Sequence, residues 1–131
     1  MPKHSKKAQA VVELAIIIPV LLWCALGALD FGRVFYSYIG LVNASRDGAR
    51  YATFKAPACD LAGAKTAVQN GQSSLDIPAG IITLDCSNGA QRTVAITNYQ
   101  FEVFTPFIAN LWGGGPLNLS TTATLPIVNR S

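Results

Sequence analysis

One uninterrupted apolar run, QAVVELAIIIPVLLWCALGAL from Gln9 to Leu29, limits what this chain can fold into more than any other feature. Its 21 residues contain a single charge, Glu13. As an α-helix with a rise of about 1.5 Å per residue, the run is about 31 Å long, close to the hydrocarbon thickness of a bilayer. Lys3, Lys6 and Lys7 precede it without any acid, so the positive-inside rule places the N-terminus in the cytoplasm. The run predicts a membrane helix.

Two kinds of cleaved signal offer alternative interpretations of the same run. A secretory signal needs small residues before the cut, and Leu26-Gly27-Ala28 fits that requirement poorly. A lipoprotein-type cut before Cys24 needs a small residue at the preceding position, which Trp23 occupies. Glu13 inside the run and the helical pattern that follows it also argue against a secretory signal. We therefore expect the helix to be retained, with residues 9–30 as the transmembrane segment.

The helical pattern continues beyond the apolar run, over residues 31–56. Apolar residues repeat there with the three-and-four spacing of one helix face; they are Phe31, Val34, Phe35, Tyr38, Leu41, Val42, Ala49 and Ala52. Gly32, Gly40 and Gly48 recur every eight residues, which indicates close packing against another surface. Pro57 ends the helix, because proline disfavours the helical conformation of the residue before it. The sequence predicts one rod of about 70 Å.

Residues 57–131 contain a short helix and three strand candidates. Asp60 is a suitable N-cap for a helix over Leu61–Gln69. The strands are expected over residues 81–86, 92–104 and 117–128, with an Asn-Gly hairpin turn between the first two and a bulge near Thr97-Asn98 in the second. Three strands cannot bury both faces alone, so one face should pack on the long helix. The predicted fold class is α+β, a long helix on a small antiparallel sheet.

The segment between the last two strands is a hydrophobic loop, TPFIANLWGGGP. Two interpretations are open for its large apolar residues: they fold back onto the domain, or they form a contact patch for a partner subunit or a membrane surface. Those residues are Phe107, Ile108, Leu111 and Trp112.

The three cysteines fall in two environments. Cys24 lies in the membrane helix, where a thiol packs as a small hydrophobe. Cys59 and Cys86 belong to the domain that follows the helix, and an exported domain is in an oxidising place. We expect Cys59 and Cys86 to form a disulfide; two free buried thiols are the alternative.

The residue inventory disfavours several classes of function. The only histidine, His4, lies in the basic tip, so catalytic triads and His-ligated zinc sites have no histidine elsewhere to use. The net charge of +3 resides in that tip, because the other seven basic residues are balanced by seven acidic ones, and no basic patch indicates nucleic-acid binding. Charged residues make up only 13% of the chain, about half the usual share. We expect no enzyme, no catalytic residue, no metal site and no cofactor.

A basic leader, the small residue Ala8, then Gln9 and a carboxylate at the fifth position of an apolar helix make the start similar to a type IV pilin-like precursor. The longer run resembles the N-terminal signature of TadE-like pseudopilins of the tight adherence (Tad/Flp) pilus system. The matching elements are the start Gln9…Glu13-Leu14-Ala15, Pro19, Asp30-Phe31-Gly32-Arg33 and Asn43-Ala44-Ser45-Arg46-Asp47-Gly48-Ala49-Arg50. Major Flp pilins are shorter and carry tyrosine after the carboxylate, where this chain has Leu14, so the resemblance implies a minor pseudopilin.

The resemblance implies a pilin-like fold and a structural role in pilus assembly. Prepilin peptidase would cut between Ala8 and Gln9, removing residues 1–8 as a cytoplasmic leader, and Glu13 would act in assembly. The implied partners are other pilins and pseudopilins, that peptidase, the inner-membrane assembly platform and the membrane itself. The implied location is the bacterial inner membrane, crossed once, with the domain of residues 57–131 in the periplasm or, after incorporation into a pilus, outside the cell.

Other interpretations stay open at this point. The chain could be an unprocessed, signal-anchored envelope domain that binds a ligand or surface, or a pseudopilin of a type II secretion system. Glu13 could instead extend to the cytoplasmic headgroups or bind a leader lysine, since an isolated carboxylate in a bilayer is costly.

Overall fold

The computed structural model describes residues 6–104, 110 and 113–127; Lys7 is described by its backbone only. Helix α1 runs over Lys6–Phe54 and α2 over Leu61–Gly71, followed by one 3₁₀ turn at Ala79–Ile81. The strands are β1 Ile82–Asp85, β2 Gln91–Phe101 and β3 Leu117–Pro126. The long helix packs on a small antiparallel sheet, which confirms the predicted α+β class.

Local chemistry explains where the two helices end and begin. After Phe54 the amide of Lys55 still donates to the Tyr51 carbonyl at 3.1 Å, and the next residues lead into Pro57, which cannot continue a helix. Helix α2 starts where Asp60 accepts the Gly63 N–H on its side-chain oxygen at 2.9 Å, a standard N-cap contact. The predicted N-cap is confirmed, and α2 extends two residues past the predicted end.

The sheet has the order β1-β2-β3 with both pairs antiparallel. The turn between β1 and β2 is closed by Asn88, whose carbonyl accepts the Gln91 N–H at 3.2 Å. In β2 the register shifts between Ile96 and Tyr99, and Asn98 has a φ of 58°. This is the predicted bulge, and it lets β2 direct apolar side chains to the same face on both sides of the shift.

The core lies between α1, α2 and the inner face of the sheet. Its members are Leu41, Ala44, Ala49, Val68, Ile77, Ile82, Val94, Ile96 and Ala123. Strand β2 supplies the centre of this core, since Val94 and Ile96 are fully buried while neighbouring positions are partly exposed.

The face of α1 that packs on the domain overlaps the predicted apolar stripe only in part, since Leu41, Ala49 and Ala52 are buried as predicted. The large members of that stripe, Phe31, Phe35 and Tyr38, are exposed. The buried positions are mostly small; they are Ser37, Gly40, Leu41, Ala44, Ser45, Gly48, Ala49 and Ala52. Small side chains let two backbones approach closely. The size of the side chains therefore determines which face of α1 packs on the domain more than their hydrophobicity does.

Two of the three regularly spaced glycines of α1 occupy close contacts. A Cβ on Gly40 would meet Leu75 Cδ1 at 2.6 Å, and one on Gly48 would overlap the Val68 side chain of α2. A Cβ on Gly32 would meet nothing within 4 Å among the described residues. The packing interpretation therefore holds for Gly40 and Gly48, whereas no described residue of this chain makes such a contact at Gly32.

The predicted strand limits were too wide. Ile81 belongs to the 3₁₀ turn, and β2 ends at Phe101, so residues 102–104 are outside it. Strand β3 ends at Pro126, although the Ile127 N–H still donates to the Ala90 carbonyl at 2.8 Å.

Candidate functional site

The amino-terminal half of α1 is a bare apolar surface. Its large apolar side chains from Val11 to Leu29 are between 44% and 66% exposed. Among the described residues, α1 is the one helix long and apolar enough to cross a membrane, and its most apolar stretch is not covered by the rest of the chain. The core helix of a water-soluble domain would be covered, so these features are consistent with a single-pass membrane anchor.

Glu13 is the only carboxylate on this bare surface. The side-chain amide of Gln9 donates to Glu13 Oε1 at 3.5 Å, across one helical turn. Both residues are exposed, and Ala8 also lies within the helix, which begins at Lys6. The structure therefore places the predicted processing junction in the first turn of α1 and the predicted assembly residue one turn further on. The four-residue spacing could have indicated the Gln9–Glu13 contact from the sequence.

The first buried residue of α1 is Asp30. Asp30 is 4% exposed, and its carboxylate lies 3.9 Å from the guanidinium of Arg33. That guanidinium also lies 5.5 Å from the centre of the Phe101 ring, at the end of β2. These contacts place the boundary between the bare and the covered parts of α1 near residue 30, where the apolar run ends.

Two connections join the loop after α1 to the hairpin between β1 and β2. Cys59 and Cys86, the pair expected to be oxidised, lie with their sulfurs 2.06 Å apart in a disulfide. Arg92, buried in β2, donates to the Pro57 carbonyl at 3.2 Å and to the Asn88 carbonyl at 3.1 Å.

Arg92 is a structural residue that the sequence reasoning missed. Its position gives a usable signal, because it has the same strand parity as Val94 and Ile96 and therefore points inward. Its Nε has no hydrogen-bond partner in the described part of the chain.

The N-cap of α2 is also hydrogen-bonded to α1. The Tyr51 hydroxyl donates to Asp60 Oδ2 at 2.9 Å. The Gly63 N–H, and next the Tyr51 hydroxyl, hold the pKa of Asp60 below its usual value. The hydrogen bond to Asp60 correspondingly raises the pKa of Tyr51. Asp60 is thus held as a carboxylate at the junction of the two helices.

The remaining site predictions are placed as follows. Cys24 is an exposed free thiol on the bare surface. The expected contact patch of Phe107, Ile108, Leu111 and Trp112 lies outside the described residues. Over residues 6–104, 110 and 113–127 no three His, Cys, Asp or Glu side chains cluster as metal ligands would.

These features define a class of protein: a small α+β domain carried on a helix whose other half has the length and exposure of a membrane anchor. The family described as TadE-like protein matches residues 8–50, so this segment of the chain is TadE-like. The match confirms the resemblance and is consistent with a TadE-like protein of the Tad pilus system. It covers the bare surface and most of the packed face of α1, and none of the sheet. No curated protein and no solved structure matches the chain.

Proposed function

We propose that this protein is a structural minor pseudopilin that takes part in assembly of a Tad/Flp-type pilus after prepilin peptidase cuts between Ala8 and Gln9. The observation that carries the proposal is the TadE-like match over residues 8–50, which coincides with the bare, single-carboxylate half of α1 and its junction with the domain. The proposed location is the inner membrane, with a cytoplasmic N-terminus and the sheet domain exported.

The position of Glu13 supports a role in assembly. In an isolated subunit this carboxylate faces outward from a helix that is otherwise apolar, and a charge in hydrocarbon is costly. Cleavage before Gln9 creates an α-amine with an ordinary pKa of about 8, which is mostly charged at neutral pH. Pairing that amine with the Glu13 carboxylate of a neighbouring subunit would offset part of the desolvation of both groups. Assembly through these helices would then be favoured electrostatically as well as by packing.

Processing is tested by the mass of the mature protein. We expect the membrane- or pilus-associated form to begin at Gln9 and to contain 123 residues. Replacing Ala8 with tryptophan should leave the precursor uncut in the membrane, because a bulky side chain does not fit where a small residue precedes the cut. An intact mass that retains residues 1–8 in the pilus-associated protein would contradict the proposal and favour an unprocessed envelope anchor.

The assembly role is tested by Glu13→Gln. Glutamine keeps the size and the hydrogen-bonding capacity toward Gln9 but removes the charge, so cleavage and membrane insertion should persist. Incorporation into the pilus, or recovery in a complex with other pilin-like subunits, should be lost. Glu102→Gln is the matched control, because it removes a carboxylate from an exposed position beyond β2.

Two results separate the proposal from its alternatives. Piliation at the wild-type level with Glu13→Gln would show that the carboxylate is only an interfacial residue. Recovery with subunits of a type II secretion system, in place of Tad components, would move the protein to that system while leaving the processing argument intact.

A further inference from the structure

A groove runs between α1 and the outer edge of β3, away from the bare surface. Its volume is about 320 Å³, and the residues that line it are Val42, Ser45, Arg46, Arg50, Thr122, Ala123, Thr124 and Leu125. Side chains of successive strand residues point to opposite faces of a sheet. A groove that contacts four consecutive strand residues therefore runs along the edge of β3, where the backbone is accessible.

The outer edge of β3 has backbone groups that are not paired with another strand. In the described part of the chain β3 pairs with β2 on one side only, so alternate residues direct N–H and C=O groups toward the groove. Edge strands are commonly protected by charged side chains, bulges or internal prolines. The ten residues of β3, LNLSTTATLP, include no charge, and the proline is at the end. This edge is open to pairing with another strand.

Two arginines form the opposite wall of the groove. Arg46 and Arg50 are exposed, lie one turn apart on α1, and have no carboxylate within 4.0 Å among the described residues. The nearest acid in the sequence, Asp47, lies beside Gly71 of α2, where a Cβ on Gly71 would meet its Oδ2 at 2.6 Å. Like charges four residues apart destabilise a helix by a few tenths of a kcal/mol, a repulsion that a bound carboxylate would relieve.

We propose that this groove binds an extended acidic segment of a partner protein, which adds to β3 as a fourth strand and places carboxylates on Arg46 and Arg50. The spacing of the charges fits a strand. Four residues of helix rise about 6 Å, and residues i and i+2 of a strand are about 6.8 Å apart on one face. The partner segment therefore carries two acidic residues separated by one residue. Arginine guanidinium groups bind such carboxylates through paired hydrogen bonds.

Charge argues that the occupant is a different protein and not a second copy. Symmetric pairing of β3 with β3 of another copy would bring four arginines together without an acid from either strand. The opposite edge of the sheet, β1, has four residues and one acid, Asp85, whose carboxylate already accepts the Ser87 N–H at 2.8 Å. Neither edge supplies two acids with the required spacing. The inference stands whether or not the leader is cleaved, so it is independent of the pilus assignment.

The test is site-specific photo-crosslinking of the full-length protein in the cells that produce it. A benzophenone amino acid replaces Thr122, on the groove, or Thr83, an exposed residue of β1 on the other edge, as the matched position. We expect the Thr122 probe to yield an adduct with a different protein, mapped by mass spectrometry to a segment with two acids two positions apart. The Thr83 probe should not yield that adduct.

Charge reversal then tests the contact itself. Arg46→Glu with Arg50→Glu should lower the adduct yield by about tenfold, the effect expected from reversing two partly exposed ion pairs. Lys55→Glu reverses a positive charge directly after the end of α1, outside the groove, and should leave the yield unchanged. Exchanging the two acids of the mapped segment for arginine should restore the adduct with the doubly reversed variant. Retained membrane levels and an intact Cys59–Cys86 disulfide show that each variant is folded.

Several outcomes would overturn the proposal. The first is an adduct of the Thr122 probe only with another copy of this chain, with lipid or with nucleic acid. The second is the absence of any adduct. The third is an adduct yield that charge reversal does not change.

Discussion

Gly48 provides the sharpest test of how α1 is attached to its domain. It lies on the buried face of α1, opposite Val68 of α2. An added Cβ would overlap Val68 Cγ2 and would also approach the Ala64 carbonyl and Val94 Cγ1, each at 3.4 Å. Because Val68 is itself fully buried, neither it nor the strand behind can move aside without displacing the core.

The expected size of the effect follows from two opposing contributions. Alanine favours a helix interior over glycine by about 1 kcal/mol, whereas forcing an extra carbon into a packed core costs about 1–3 kcal/mol. Gly48→Ala should therefore lower the free energy of unfolding by about 0–2 kcal/mol. Gly32→Ala has the same helix-propensity gain, and its Cβ meets nothing within 4 Å. The difference between the two variants removes the propensity contribution and leaves the packing cost, about 1–3 kcal/mol.

The measurement is urea unfolding of the full-length protein in detergent micelles, followed by near-ultraviolet circular dichroism, which reports the packed domain. A second substitution identifies the contact responsible. Val68→Ala should destabilise the wild type, but in the Gly48→Ala background it removes the overlapping methyl groups, so the two changes should couple favourably by about 1 kcal/mol. Equal stability of the Gly48→Ala and Gly32→Ala proteins, together with no coupling to Val68→Ala, would refute the close-packing argument.

Two further predictions concern the domain that follows α1. The Cys59–Cys86 disulfide closes a loop with a sequence separation of 27. For a loop of that size, the lost chain entropy of the unfolded state stabilises the fold by about 3–4 kcal/mol. The double variant Cys59→Ser with Cys86→Ser should therefore have a free energy of unfolding lower by about that amount in the same assay. Thiol labelling of the unfolded, unreduced protein should modify Cys24 alone, and labelling of all three cysteines would contradict the disulfide. The pKa of Asp60 is lowered in the folded state, so its stabilising contribution is complete above the unfolded pKa of about 3.9 and is lost as the pH falls through the folded pKa. The Asp60→Asn variant should therefore lose less stability than the wild type when the pH falls below about 5. The measurement is the difference in unfolding midpoint between pH 6 and pH 3. Tyr51→Phe should reduce that difference too, by a smaller amount.

The long helix and the connection between β1 and β2 were predictable because each has a strong local signal. Twenty-one nearly uncharged residues can hardly form anything except a buried or membrane helix. Asn88 and Gly89 lie in the connection between β1 and β2 as expected, but this connection has five residues and is not the tight Asn-Gly turn that was predicted. The change of parity between Ile96 and Tyr99 similarly indicated the bulge.

Only part of the packed face of α1, namely Leu41, Ala49 and Ala52, was predictable from hydrophobicity. Phe31, Phe35 and Tyr38 are more apolar than Ser37 and Ser45, yet the serines are buried and the aromatic residues exposed. Hydrophobic periodicity predicts that the face with the most apolar side chains is buried. In this fold α2 and the sheet can pack on α1 only where the side chains of α1 are small. The Gly40 and Gly48 spacing contained that information, and it should have outweighed the aromatic stripe.

Sites that depend on distant parts of the chain were the hardest to find. Arg92 is buried because carbonyls of Pro57 and Asn88, from two other segments, meet at its guanidinium. The groove at β3 arises only when α1 crosses beside the last strand, so Arg46 and Arg50 looked like ordinary solvated residues in the sequence. Local spacing cannot indicate which strand a helix will lie beside.

The outward face of α1 provides a second argument for the proposed assembly of this protein with neighbouring subunits. Phe31, Phe35 and Ile39 continue the bare surface beyond Leu29; Arg33 is the one exposed charged residue between Leu29 and Asn43. From Gln9 to Ile39 this is about 46 Å of apolar helix, roughly 16 Å more than the hydrocarbon core of a bilayer covers. These extra apolar side chains cannot be covered by the domain of the same chain, because the domain packs on the opposite side of α1 from Asp30 onward. In an isolated subunit these aromatic side chains face headgroups or water, whereas packing of α1 against neighbouring helices would cover them. Packing against neighbouring helices would thus pair the Glu13 charge near one end of the apolar surface and bury the Phe31 and Phe35 side chains near the other.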